Sequence, residues 1–536
     1  MKQLPANTHL TDYRRSITPV LLLVPLFGIS VYLFAQYVIN DDVIGLSYIF
    51  LLAIAAAFAV AIVKDWRVGV YCFLTWLLFE DLARKFLGNN MAIYFAKDAL
   101  VALVYLSFFI AFRRKTVKTI RPPFLVPLLI FVWFGVLQVF NPASGSLVYG
   151  VLGLKLFFTY IPMFFVGYAL INSELELGRF FKYNVLLILV ICGLGITQSI
   201  RGPGFLNPSN PADEIRELST LYRTAPISGV TAYRASSVFV SHGRYGNFLE
   251  ISWLLVLGFT GYLLVRNRRG RNFAFISIMV VWAAIVLATS RGVFMWCSGN
   301  AIVVAVAFIW GAPWRHGETL RIFRAFQRMA LGISLALVML FLIFPDALLS
   351  RLTIYSETLM PGSSASELQN RTWDYPLRNF LGAFTYPRWP IGYGIGTSSL
   401  GTQYVAKFFP GSAMFGVGVE SGFGTLVVEM GIGGLVLWLV MSFAVVISAW
   451  NIVRKLKGTP WFPVAFVIFW YAFILLLPIT FTSMPAYQDF VLNTYLWLLL
   501  GILFRLPSLT PSAEFAMSSW VPKNVSHRVR SRMRAN

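Results

Sequence analysis

About fourteen windows of some twenty consecutive apolar residues, separated by short polar stretches, limit what this chain can become. A hydrocarbon core roughly 30 Å thick takes about twenty helical residues at about 1.5 Å each, and helices keep their own backbone polar groups satisfied there. The windows run approximately over 17–39, 43–63, 68–86, 92–112, 122–140, 148–171, 182–200, 246–265, 273–289, 293–311, 328–345, 421–449, 462–482 and 488–504. With 58% hydrophobic and 12% charged residues among 536, so much apolar surface exceeds what a water-soluble core hides. The reading is an all-α polytopic membrane protein, one integral membrane domain over 1–536. Glu80 and Asp81 end the third window while Lys97 and Asp98 sit inside the fourth, so these two are expected to be short or tilted.

A net charge of +22 would raise nucleic acid as a partner for a soluble protein. Here the basic residues lie mostly in loops between spans, so no nucleic-acid partner is expected. With both termini cytoplasmic, the inner segments hold 29 Lys and Arg against 13 outside, and an even number of spans agrees with that bias. The tail over 505–536, with Arg528-Val-Arg-Ser-Arg-Met-Arg534, reads as a solvated cytoplasmic segment touching anionic lipid headgroups. Arg14 and Arg15 lead straight into a full-length span, so the first helix is expected to be retained. Cys72, Cys192 and Cys297 all fall in apolar windows and predict neither a disulfide framework nor a thiolate site. The four histidines are scattered and no phosphate-loop or HExxH pattern occurs, so no metal or cofactor is expected.

Two external loops stand out, 201–245 and 346–420, each expected to hold short helices lying along the membrane surface. The second, about 75 residues of polar, aromatic and Gly/Pro-rich sequence, is too long for a plain connection. Arginine recurs in both beside aromatic residues. Loop one ends Tyr233-Arg234, then Phe239, His242 and Arg244; the hairpin between spans nine and ten turns at Thr289-Ser290-Arg291-Gly292; loop two carries Arg371-Thr-Trp373 and Trp389. A guanidinium is a permanent charge with a planar fork matching phosphate oxygens two at a time, so a cluster suits a lipid-linked diphosphate.

Arg234 with the polar run into a helix, Ser290-Arg291-Gly292 at a tight hairpin, Arg371-Thr-Trp373, Pro390-x-Gly392-x-Gly394 and the Glu429-x-Gly431 helix together resemble the bacterial O-antigen ligase and O-antigen polymerase superfamily. The likeness spans roughly residues 120 to 450 and rests on the order of the motifs, each weak alone. It implies a metal-independent multi-span glycosyltransferase of the bacterial inner membrane, taking glycan from a polyprenyl-diphosphate-linked oligosaccharide on the periplasmic side. A glycan acceptor, membrane lipids, a flippase and a chain-length regulator are the partners it implies. Where the ligases present His-Asn at the end of the large loop this chain has Glu420-Ser421, which favours a polymerase of exopolysaccharide or O-antigen repeat units. The expected roles are Glu420 as base, Arg291 and Arg371 with Arg234 on the diphosphate, and Trp373 and Trp389 beside the acceptor sugar.

Plainer roles compete at each position. Arg291 can anchor a hairpin at headgroup level, and Arg234 or Arg371 can pair with loop acids such as Asp374. His242 and Arg244 are weighed evenly between substrate contact and a helix-start role. Glu420 competes with a favourable charge at a helix amino terminus, where Ser421 can be the cap. Glu429 and Lys155 lie inside apolar windows, where an ionisable group is expensive, and can pair with each other, Lys155 also being a candidate phosphate contact. Lys97 and Asp98 point about 100° apart on a helix and predict separate partners. The Gly-rich run 392–396 lacks the flanking strand and helix of a nucleotide loop and reads as a flexible turn admitting close backbone approach. The other functional readings are a ligase joining glycan to a lipid or protein acceptor, and a transporter or flippase, for which an internal repeat and broken helices near the midplane would be expected.

Overall fold

In the computed structural model, the described residues are 56–87, 91–208, 221–266, 270–313, 341–360, 366–399, 419–483 and 486–509, with scattered positions between 327 and 339 and at 363 and 402. The first window and the tail beyond 509 lie outside them, as do most of the second window and part of the eleventh. The chain is mostly helical. Its helices are α1 (Trp66–Leu87), α2 (Met91–Arg113), α3 (Leu125–Val139), α4 (Leu147–Phe158), α5 (Met163–Leu170) and α6 (Glu174–Arg201). They continue as α7 (His242–Arg266), α8 (Arg271–Leu287), α9 (Arg291–Gly311), α10 (Pro345–Leu359), α11 (Tyr375–Gly382), α12 (Gly422–Lys455), α13 (Phe462–Ile474) and α14 (Phe490–Arg505).

Eight of the described helical stretches are long and apolar enough to cross a membrane, not fourteen. Part of the shortfall lies outside the described residues. The rest is physical: α3 and the apolar stretch 272–287 of α8 are shorter than a full crossing, and α1 carries Glu80, Asp81, Arg84 and Lys85 in its second half.

The chain divides into two compact units. In the smaller, residues 1–73 and 99–110, Gly69 packs against Ile62 and Val104, and Trp66 meets Phe108 edge-on at 5.2 Å. In the larger, residues 74–98 and 111–536, α7 and α14 are buried almost throughout and form the centre. With no hydrophobic drive between helices in lipid, close approach depends on small residues. A Cβ on Gly167 of α5 would fall 2.1 Å from the Leu498 carbonyl of α14, and one on Gly501 of α14 would fall 2.0 Å from that of Phe164. At the opposite end of α7 from its histidine, Arg266 and Tyr262 both bond Glu174 in the first turn of α6, an acid where the helix dipole favours one.

Loop one is not helical where it is described. Tyr222–Thr224 (β1) and Thr231–Tyr233 (β2) form an antiparallel hairpin with Tyr222 opposite Tyr233. Its turn is held from loop two, where Glu357 of α10 accepts from Ile227 N at 2.8 Å and Ser228 N at 3.1 Å. Loop two does contain short helices, α10, a π turn over Asn370–Asp374, and α11.

Candidate functional site

The hairpin between α8 and α9 turns where expected, and its geometry is strained at one residue. Thr289 has φ 57°, rare for a β-branched side chain, and its hydroxyl donates to Tyr233 O at 3.1 Å. That bond brings the start of α9, with Arg291, to the end of β2, where Arg234 begins. Arg351 of α10 closes the same junction. Its guanidinium donates to Leu287 O at 3.0 Å, Ser199 O at 3.1 Å, Tyr233 O at 3.3 Å and Ala347 O at 2.6 Å. Ser199 and Leu287 lie near the carboxyl ends of α6 and α8, where carbonyls lack helical partners and a cation is favoured.

Four guanidinium groups gather around this junction. Arg291 Nη2 lies 2.9 Å and Arg371 Nε 3.2 Å from the same oxygen, Oε2 of Glu367. Burial, with Arg223, Arg291 and Arg371 nearby, pushes the Arg234 guanidinium down to about 9; burial, with Arg291 and Arg371, pushes Arg223 down to about 10. Both remain charged at neutral pH. Among the described residues Arg234 Nε is buried without a hydrogen-bond partner. Hydrogen bonds from Arg291 and Arg371 hold the Glu367 carboxyl below its usual 4.5. Among the described residues, one carboxylate paired within four guanidinium groups leaves a basin with room in its charge balance for an anion.

A carboxylate stands beside it. The Arg371 guanidinium lies over the Tyr375 ring at 4.8 Å, and the Tyr375 hydroxyl donates to Glu420. Ser421, not Glu420, caps α12, accepting from Gly424 N at 3.4 Å. Glu420 is exposed and Trp373, in the π turn, is 62% exposed. Trp389 instead packs on Phe384 at 5.4 Å, in an aromatic row with Phe380 and Phe481. His242 lies within electrostatic reach of Arg234 and Arg223.

Two expected substrate contacts belong elsewhere. Arg244 bonds both carboxylate oxygens of Asp81 at 2.8 Å, and Asp81 also accepts from Val240 N. Lys155 pairs with Asp98 at 2.7 Å, and Lys97 with Glu80 at 2.9 Å, so Lys97 and Asp98 do take separate partners. An unpaired charge is too costly at these depths, so each cation is claimed by an acid of α1 or α2. Lys85, donating to Ser236 Oγ and Ser237 O, and Gln198, accepting from Ser236 N and Ser237 N, fix the turn just after Arg234.

Glu429 does not meet Lys155 either. It accepts from Ser398 N at 3.0 Å beneath the Gly-rich run, which is a buried strap and not a flexible turn. The strap explains a break in α12. Gly431 sits at φ 70°, interrupting the helix, and the carbonyls of Val428 and Glu429 receive Tyr393 N at 2.9 Å and Gly394 N at 2.8 Å. Gln138 and Asn141 in turn donate to the Ile391 and Gly392 carbonyls at 3.1 Å. Irregular backbone at this depth survives because every freed group is met by another segment.

Arg223, Glu367, Tyr375 and Arg351 escaped sequence reasoning. One signal existed for the first: Tyr222-Arg223 repeats Tyr233-Arg234 across a glycine-containing turn. No protein-family model matches the chain, and a search of curated proteins finds no relative.

Proposed function

We propose that the chain is a glycan polymerase joining repeat units from a polyprenyl-diphosphate donor on the periplasmic side of a bacterial inner membrane. In this reading both termini are cytoplasmic, and loops one and two cover the outer leaflet. The observation that carries it is the convergence of Arg291 and Arg371, from separate segments, on one carboxylate, with Arg234 within electrostatic reach of both and the Tyr375–Glu420 pair alongside.

The donor diphosphate occupies the basin, where Arg223, Arg234, Arg291 and Arg371 face its oxygens. An acceptor sugar hydroxyl, resting on the exposed face of Trp373, attacks the anomeric carbon. The bond from that carbon to the diphosphate oxygen breaks, the hydroxyl proton passes to Glu420, and the leaving diphosphate keeps the electron pair. The guanidinium groups then hold charge that grows during the step, which is where fixed electrostatics accelerate a reaction. The acid–base contribution of Glu420 is on the order of 100-fold or more. Glu420-Ser421 at the end of loop two favours polymerase over ligase.

The test is turnover of a polyprenyl-diphosphate oligosaccharide by the purified protein, with Arg371→Ala and Glu420→Gln beside it. Polymer from the wild type and little from either variant, at equal protein in the membrane, is expected. Undiminished polymer from both variants removes the site assignment, and product attached to a lipid or protein acceptor replaces the polymerase with a ligase.

A further inference from the structure

The basin already holds an anion, and it belongs to the protein. Arg291 and Arg371 converge on a single oxygen, Oε2 of Glu367, the way two guanidinium groups converge on a phosphate oxygen. We infer that Glu367 is an exchangeable internal ligand of the guanidinium basin, displaced when a diphosphate enters and returning to help expel the diphosphate product. This rests on the diphosphate reading above and adds a residue to it.

Three features separate such a ligand from a fixed structural pair. Glu367 is not locked in a core: its side chain is 37% exposed and that of Arg371 50%, so the carboxylate can swing away into water. The pair with Arg371 is then weak, and the pair with Arg291, which is 11% exposed, is the one a multiply charged competitor has to displace. Secondly, Glu367 lies one helical turn before Arg371, with Arg371 N bonded to Glu367 O at 2.8 Å, so the backbone that carries the carboxylate also carries one of the guanidinium groups. The carboxylate can therefore leave and return by side-chain rotation while Arg371 stays. Thirdly, among the described residues Arg223 and Arg234 lie within electrostatic reach of Arg291 and Arg371, so removing the Glu367 charge leaves four neighbouring guanidinium groups and favours an anion in its place.

The product makes the device useful. When the anomeric C–O bond breaks, the diphosphate gains a negative charge and binds such a basin more tightly than the donor did. A site built only to stabilise that charge would hold its product, and uniform tight binding of that kind slows turnover. A carboxylate waiting beside the basin competes for Arg291 and Arg371 and lowers the product's affinity.

Inorganic pyrophosphate is the probe. Its binding to the full-length protein in neutral detergent at low salt is measured by calorimetry for the wild type, Glu367→Gln, Arg234→Ala and the Glu367→Gln/Arg234→Ala pair, with a thermal melt confirming that each variant is folded. Glu367→Gln keeps the shape of the side chain and loses its charge. It is expected to bind pyrophosphate about fivefold more tightly than the wild type, as loss of a competing carboxylate predicts, and Arg234→Ala is expected to weaken binding in both backgrounds. Equal or weaker binding by folded Glu367→Gln overturns the role of Glu367 and leaves the basin standing. Absence of binding by wild type and Glu367→Gln alike overturns the diphosphate reading, and this inference with it.

Discussion

Tyr375 donates its hydroxyl hydrogen to Glu420, 45 residues further along the chain, and so joins the π turn of loop two to the threshold of α12. π turns are scarce and concentrate at functional sites. This one displays Arg371 and Trp373 while passing Tyr375 to Glu420. The Glu420 hydrogen bond raises the Tyr375 phenol above its ordinary value, so the phenol stays protonated and remains a donor at neutral pH. Tyr375→Phe removes the bond that orients the carboxylate and keeps the ring under Arg371. Turnover is expected to fall about tenfold, the value of one hydrogen bond to a charged group, against 100-fold or more for Glu420→Gln. Wild-type turnover in Tyr375→Phe would show that Glu420 needs no such orientation.

The Glu367 carboxyl, held below 4.5 by Arg291 and Arg371, links the junction to pH. A depressed folded value means stability that is present above the unfolded value and is lost as pH falls through the folded one. The contribution is about 1 kcal/mol or less, because the Glu367 carboxylate and Arg371 are open to solvent even though Arg291 is 11% exposed. Protease cleavage within loop two is therefore expected to accelerate below pH 4.5 in the wild type, and to lose that part of its pH dependence in Glu367→Gln. Superimposable pH profiles for the two proteins would contradict it.

Asp81 and Arg244 form a two-pronged pair in which Asp81 is almost fully buried. Stranding a buried charge costs about 3–5 kcal/mol. Removing Asp81 takes the carboxylate from Arg244 and also from Arg84, whose Nη1 lies 3.1 Å from Asp81 Oδ1. Asp81→Ala is thus expected to lower the melting temperature sharply in detergent, and Asp81→Ala/Arg244→Ala to recover the part due to Arg244. If the double variant melts as low as the sum of the singles implies, the pair is not coupled. Because Asp81 also holds Val240 N, part of the Asp81→Ala effect will persist in the double variant.

Gly431 and the strap residue Gly392 show why glycine is required in both. A Cβ on Gly431 would lie 2.4 Å from Pro390 O at a backbone φ of 70°, and one on Gly392 would lie 2.5 Å from Glu429 O. Gly431→Ala is expected to destabilise by about 3 kcal/mol, since backbone on both sides must move. Gly178→Ala in α6, with nothing within 4 Å of the added methyl, serves as the control and is expected to stabilise by about 0.5 kcal/mol. Similar melting shifts for the two would remove the steric account.

How much of this could be read beforehand differs between spans and site. The long apolar helices follow from length and composition, because lipid leaves a chain few other choices. The loop-one hairpin was not legible: its strands are three residues each, and it is held by Glu357 of α10 and by Arg351, contacts with no trace in local periodicity. For the basin, arginines beside aromatic residues at span ends were enough to name Arg234, Arg291 and Arg371. The same signal also named Arg244, which pairs with Asp81 of α1, and Lys155, named as an ionisable residue inside an apolar window, pairs with Asp98 of α2. Which guanidinium finds a carboxylate depends on helix pairing, and pairing is decided by packing, as between Gly167 and Leu498, not by the residues beside the arginine.

Arg351 tests that dependence most directly, since it touches three elements that frame the basin and reaches them only through carbonyl oxygens. Loss of its guanidinium takes a donor from the Ser199 carbonyl at the end of α6 and leaves the Leu287 and Tyr233 carbonyls to share the single Thr289 hydroxyl, at about 1–3 kcal/mol for each group left unsatisfied. Lysine keeps the charge but offers a compact ammonium in place of a planar fork, and cannot span oxygens on three elements at once. Arg351→Ala is therefore expected to destabilise by about 3 kcal/mol and Arg351→Lys by somewhat less. Pyrophosphate affinity should fall in the folded fraction of both, because Arg234 follows directly on the residue whose carbonyl is released. Folded Arg351→Lys that binds pyrophosphate as the wild type does would mean that the basin keeps its geometry without this brace.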